Sequence, residues 1–153
     1  MTMTQRYRAD DLVRFATALL DKAGMDHDKS AAVAEVLVEG DLMGHTTHGL
    51  ALLAPYLADI EKGELATRGE PRVIADRPAV VAWDGNRLPG PWLTVKAIDL
   101  ACERAAAQGT CTVSIRRSHH IACLAAYLKR ATDRGMMVLL ISSAPENQSV
   151  APH

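Results

Sequence analysis

The chain has 153 residues, a formal net charge of -1 and 48% apolar residues, enough material for one hydrophobic core and no surplus of positive charge to neutralise the phosphates of a nucleic acid. No apolar run, Met136 to Ile141 included, approaches the ~20 residues that span a bilayer, and the first residues hold no apolar signal core. A soluble cytoplasmic protein is expected. Its three cysteines, Cys102, Cys111 and Cys123, show no C-x-x-C spacing and read as small buried apolar residues.

Residues 10–23 place Leu12, Phe15, Ala16, Leu19 and Leu20 at helical spacing, with Asp10 as candidate cap and Gly24 as stop. A second helix is expected from Asp28 or Ser30, carried by Val33, Ala34, Leu37 and Val38 and weakened over the glycine-rich residues 40–44. A third begins near Ala54, so that Pro55 falls in its first turn, where a missing N–H costs nothing. Two short strands, 72–75 and 79–83, read as a hairpin, the second ending at the Asp84-Gly85 turn. A long helix over 92–107 ends at Gly109, and a strand at 110–115, a helix over 121–133 and a strand at 136–142 follow. The unbroken apolar run of that last strand is what a strand covered on both faces carries, so the expected class is α/β. The chain ends soon after it, which suggests a piece of a longer protein.

Two clusters carry chemistry. Residues 40–49, G-D-L-M-G-H-T-T-H-G, crowd a carboxylate, two imidazoles and two hydroxyls between helices, and their glycines allow close approach of a ligand. His45 and His48 as a metal pair lack a third ligand at standard spacing. The second cluster, R-R-S-H-H over residues 116–120, follows a strand, where open α/β sheets bind ligands. A histidine there can exchange a proton near neutral pH, as ketone reduction or alcohol oxidation requires. The structural alternative is that Ser118 caps the next helix, with one histidine solvated and the other packed. Ser118, Ser142 and Ser143 lie in no G-x-S-x-G elbow, and neither G-x-G-x-x-G nor a P-loop occurs, which leaves no standard Rossmann or P-loop site.

The stretch V-E-G-D-L-M-G-H-T-T-H-G at 38–49 resembles the A-D-L-x-G-x-x-S-H-G motif of the malate/L-lactate dehydrogenase family. Three further blocks are similar to that family's in the same order: V-V-A-W-D-G at 80–85 followed by Pro89-Gly90, R-R-S-H-H-I-A at 116–122, and the segment from Gly135 to V-A-P at 150–152. The resemblance implies an α/β fold with N-terminal helices followed by alternating strands and helices, distinct from the standard Rossmann fold. It implies residues 1–70 as a helical segment with the substrate-pocket loop, and 71–153 as the incomplete start of the cofactor-binding domain. It further implies NAD or NADP as cofactor, a small 2-hydroxy or 2-keto acid as substrate, a homodimer, His120 as catalytic acid and base, and His48 and Tyr56 lining the substrate pocket, which His45 would help to shape. Ser142 or Ser143 would approach the cofactor. Four positions depart from the pattern: Leu52 stands at the usual Arg, Thr47 at the usual Ser, Ala122 at the usual Gly, and Ser143 or Ala144 where Asn or Asp is common. The activity expected is hydride transfer between NAD(P) and such an acid; the alternative is an inactive fragment serving as a structural or oligomerising remnant, with exposed apolar surface along residues 136–141.

Overall fold

The computed structural model describes residues 6–143. Helix α1 (Ala9–Lys22) and helix α2 (His27–Leu42) pack as a pair, burying Ala16 and Leu20 from the first and Val33, Ala34, Val36, Leu37 and Val38 from the second. Asp10 lies inside the first turn of α1 rather than capping it: Arg8 is the cap residue, and Asp10 meets the helix dipole with its charge alone. The glycines that were expected to weaken α2 do not stop it before Leu42. Two single turns of 3-10 helix, Thr46–His48 and Leu50–Leu52, lead into α3 (Leu53–Glu61), which carries Pro55 in its first turn and buries Leu53 and Tyr56.

Strands β1 (Arg72–Arg77) and β2 (Val80–Asp84) form the antiparallel hairpin, with a register shift between Val73 and Ala75. Helix α4 (Gly90–Gln108) then crosses over to β3 (Thr112–Arg116), which lies parallel to β2, so the sheet has the order β1-β2-β3 and contains one β-α-β unit. Val81 and Trp83 alternate with outward residues on β2 and pack on Ala97 and Leu100 of α4, together with Val113 and Ile115 of β3. Lys29 of α2 is 2% exposed, with its ammonium 3.1 Å from Asp26 and 4.2 Å from the centre of the Trp92 ring, and so ties α2 to the start of α4. The main core joins Leu20, Val33, Leu37, Tyr56 and Leu65 to Ile98, Cys102, Ala122, Tyr127 and Ala131.

After β3 two expectations fail. The helix foreseen over 121–133 starts only at Leu124, as a 3-10 turn (Leu124–Tyr127) that runs into the short α5 (Leu128–Thr132). Ala122 has φ of 55°, a left-handed conformation that costs an L-residue about 1–2 kcal/mol and stops helix from forming through it. The segment foreseen as a strand at 136–142 makes no ladder, and one face is open: Met136, Val138 and Leu140 pack on the core while Met137, Leu139 and Ile141 are 96%, 82% and 78% exposed. A strand exists by pairing, and no strand among the described residues lies alongside this one. The final block at 150–152 and Ala144 lie outside the described residues. No helix among them is long and apolar enough to cross a membrane.

Candidate active site

Four stretches of chain converge. At the end of α2, the Asp41 carboxylate accepts the Leu50 N–H at 2.8 Å, folding residues 43–49 back over the helix end. Gly49 runs so close beneath it that a Cβ would lie 2.2 Å from Asp41 Oδ1, so a side chain there would push the carboxylate off the Leu50 N–H. The turn presents His48 exposed, with Nδ1 2.9 Å from Thr47 Oγ1.

The second stretch is α3, where Tyr56 and Asp59, three residues apart, share a face. The third is the loop after β2, laced to the end of β3 by main-chain bonds: Gly85 N–H to the Arg116 carbonyl, Arg87 N–H to that of Arg117, and His119 N–H to that of Leu88, at 2.8, 2.8 and 3.2 Å. Asp84 fixes this junction. Its buried carboxylate accepts the Asn86 N–H at 3.1 Å and the guanidiniums of Arg117, Arg116 and Arg72 at 2.8, 3.1 and 3.3 Å. Burial acts to raise its pKa, but the Asn86 N–H and the Arg117 and Arg116 guanidiniums outweigh it and bring it down to about 2. Gly90, at the start of α4, lies under the fourth stretch, residues 117–123: a Cβ there would sit 2.3 Å from the His120 carbonyl oxygen and 2.4 Å from that of His119.

His120 stands at the centre. Its Nδ1 is 2.9 Å from the Tyr56 hydroxyl, which also reaches the His120 carbonyl at 3.1 Å, and its ring stacks on that of His48 at 5.7 Å. The Ala122 N–H points at the same Nδ1 from 3.2 Å. Two groups therefore compete for one nitrogen. If the phenol gives its proton to the carbonyl, its oxygen can accept Nδ1–H and Nε2 keeps a lone pair; if the Ala122 N–H wins, the neutral ring carries its proton on Nε2. Burial, then the nearby His48 and His119, lower the His120 pKa below its ordinary 6.5, so the ring is neutral at neutral pH. Burial first, and Asp59 second, raise the Tyr56 pKa, so the phenol keeps its proton.

Tyr56, His48 and His120 thus come together. His45 does not join them: it caps the 3-10 turn with its backbone, and its exposed ring makes no hydrogen bond among the described residues. Ser142 and Ser143 are also exposed and make none there. Ser118 caps no helix; its hydroxyl donates to the His119 carbonyl at 2.8 Å. Leu52 packs partly buried against the core. Among the described residues no three His, Cys, Asp or Glu side chains gather in a set that could hold a metal ion.

The sequence matches the family described as malate/L-lactate dehydrogenase over residues 7–153. The chain belongs to that family. Within the malate/L-lactate dehydrogenase family it is 26% identical to hydroxycarboxylate dehydrogenase B of Escherichia coli K12 over 99% of its own length and 42% of the relative's. It is 31% identical to an L-lactate dehydrogenase of Cupriavidus necator, over 74% of this chain and 34% of that one. Among solved structures it is similar to malate dehydrogenase from Pyrococcus horikoshii, with a TM-score of 0.83 and 29% identity over 86% of this chain and 38% of that one. The chain therefore spans about two fifths of the length of the E. coli relative.

Asp84 stood out in the sequence only as a turn and motif residue, and the site roles of Asp59 and Asp41 went unforeseen. Tyr56 and Asp59 at helical spacing carried a signal, two polar groups on one face of a short apolar helix; the partners they meet 60 or more residues later carried none.

Proposed function

We propose that this chain carries the substrate-facing, proton-handling part of an oxidoreductase that interconverts a small 2-hydroxy acid and its 2-keto acid with NAD or NADP. The observation that carries this reading is His120, half-buried, with its Nδ1 2.9 Å from the Tyr56 hydroxyl. Oxidising the alcohol removes a hydride from carbon and a proton from oxygen, and a bound nicotinamide would take up the hydride and return it in the reverse direction. The donor set fits the other half: a single imidazole whose Nε2, opposite the Tyr56 contact, can take the hydroxyl proton and return it in the reverse direction.

In the oxidation direction Tyr56 accepts Nδ1–H while donating to the His120 carbonyl, which leaves Nε2 as the base. In reduction the protonated ring delivers from Nε2, and Tyr56 again receives Nδ1–H. His48 and Tyr56, with His45 at the rim, line the substrate pocket, and Ser142 and Ser143 are exposed hydroxyls available to meet the cofactor. Leu52 offers no charge, so the substrate carboxylate is held by another residue. The names of the relatives, hydroxycarboxylate and L-lactate dehydrogenase among them, support the substrate class. Residues 1–70 form the pocket-bearing helical part and 71–153 the start of the cofactor part of a cytoplasmic homodimer.

The test is oxidation of NADH and NADPH by a panel of small 2-keto acids, with His120→Asn beside the wild type. A loss of 100-fold or more, on the order of what a positioned acid–base group contributes, is expected. A variant as fast as wild type would remove His120 from the chemistry.

A further inference from the structure

Tyr56 and Asp59 meet two consecutive residues of the loop after β3. Tyr56 contacts His120 at 2.9 Å, and Asp59 Oδ2 lies 3.1 Å from His119 Nε2. The His119 side chain is 13% exposed and stands edge-on to the Tyr56 ring with centroids 5.0 Å apart. Its Nδ1 is buried without a hydrogen-bond partner among the described residues, so Nε2 is the ring nitrogen that faces the carboxylate. Its main chain is tied at both ends, the N–H to the Leu88 carbonyl and the carbonyl to the Ser118 hydroxyl. A ring confined on these sides acts as a wall, and what rests on the wall is the phenol that competes with the Ala122 N–H for His120 Nδ1.

We propose that His119, clamped by Asp59, is a positioning residue for the reaction proposed above: its ring holds the Tyr56 hydroxyl on His120 Nδ1, which keeps Nε2 as the nitrogen that exchanges the proton. The inference rests on that functional reading, but its geometry can be read without turnover. The Tyr56 hydroxyl, 2.9 Å from Nδ1, can hold Nδ1–H against the Ala122 N–H at 3.2 Å only from this position. Once the wall is loosened, the backbone N–H, which cannot move away, takes Nδ1 and drives the proton to Nε2.

Histidine ring-nitrogen NMR of the whole chain at neutral pH reports the His120 tautomer directly. Asp59→Asn preserves shape while removing the anionic acceptor, and His119→Leu removes the clamped ring. Both are expected to shift His120 from the Nδ1–H toward the Nε2–H form and to lower kcat by on the order of tenfold to a hundredfold, as small misplacements of a reacting group do, with KM little changed. Asp59→Glu should restore most of the wild-type tautomer. An unchanged His120 tautomer in both variants would overturn the proposal, whatever turnover does. A shifted tautomer in a protein whose wild type turns over no 2-keto acid would uphold the positioning role and overturn the oxidoreductase reading instead. Should His119→Leu fail to fold, the Asp59→Asn spectrum alone decides.

Discussion

In the reaction proposed above His120 would exchange its proton in a setting that burial, His48 and His119 all make less hospitable to the charged ring, and its pKa lies below 6.5 for that reason. The sign of the pH dependence follows. Oxidation of the hydroxy acid needs the neutral ring, so its kcat/KM should rise with pH through a value under 6.5 and then stay level. Reduction needs the protonated ring and should fall as pH rises through the same value. Initial rates in both directions across pH check this, and an inflection above 6.5 contradicts it. Gly90 sets a steric limit on the same residue. Because a Cβ would fall 2.3 Å from the His120 carbonyl oxygen, Gly90→Ala must push the histidine loop off α4. Overpacking of this kind costs about 1–3 kcal/mol, and thermal unfolding should register it together with a loss of turnover. His120 was legible in the sequence because a motif surrounds it. Asp59 was not, since its partner lies 60 positions away and no local pattern connects them.

At the scale of elements, Asp84 joins β2, β3 and the loop that carries the histidines. Its carboxyl pKa of about 2 lies below the ordinary 3.8, so its contribution to stability is complete above 3.8 and is lost as pH falls through about 2. Denaturant unfolding of Asp84→Asn against wild type should show the difference between them shrinking across that window; a constant difference would mean that the charge of Asp84 is not what holds the junction. Helices α1 to α4 and the hairpin were readable because their apolar periods are regular and because glycine or Asp-Gly marks several of their ends. The helix expected from Ile121 was misplaced for a reason that apolar spacing cannot show. Its period is intact, but Ala122 takes the left-handed conformation at the position where the family motif has glycine, and the chain is diverted there to carry His120 and the Ala122 N–H to the site.

Across the whole molecule the apolar run at 136–141 marks where sequence reading failed. Six consecutive apolar residues suggest a strand covered on both sides, yet the run has one packed face and one open face, because hydrophobicity reports that a partner is favoured and not whether one is present. Met137, Leu139 and Ile141 form an exposed apolar row, the kind of surface that drives association. Replacing all three with lysine should reduce light scattering in concentrated solution while moving the melting temperature little, since side chains so exposed contribute little packing. A large drop in melting temperature would show the row to be covered in solution.

The contact between Tyr56 and His120 joins positions 64 apart in the chain. Helices α1 and α2 need only near neighbours and can form early, whereas this contact waits for the β-α-β unit to close and carry its loop back to α3. Refolding from denaturant should therefore run on two clocks, with helical circular dichroism recovering first and the tyrosine's buried environment later. Any chain released before the second clock has run out holds native helices but lacks the pair that would exchange the proton.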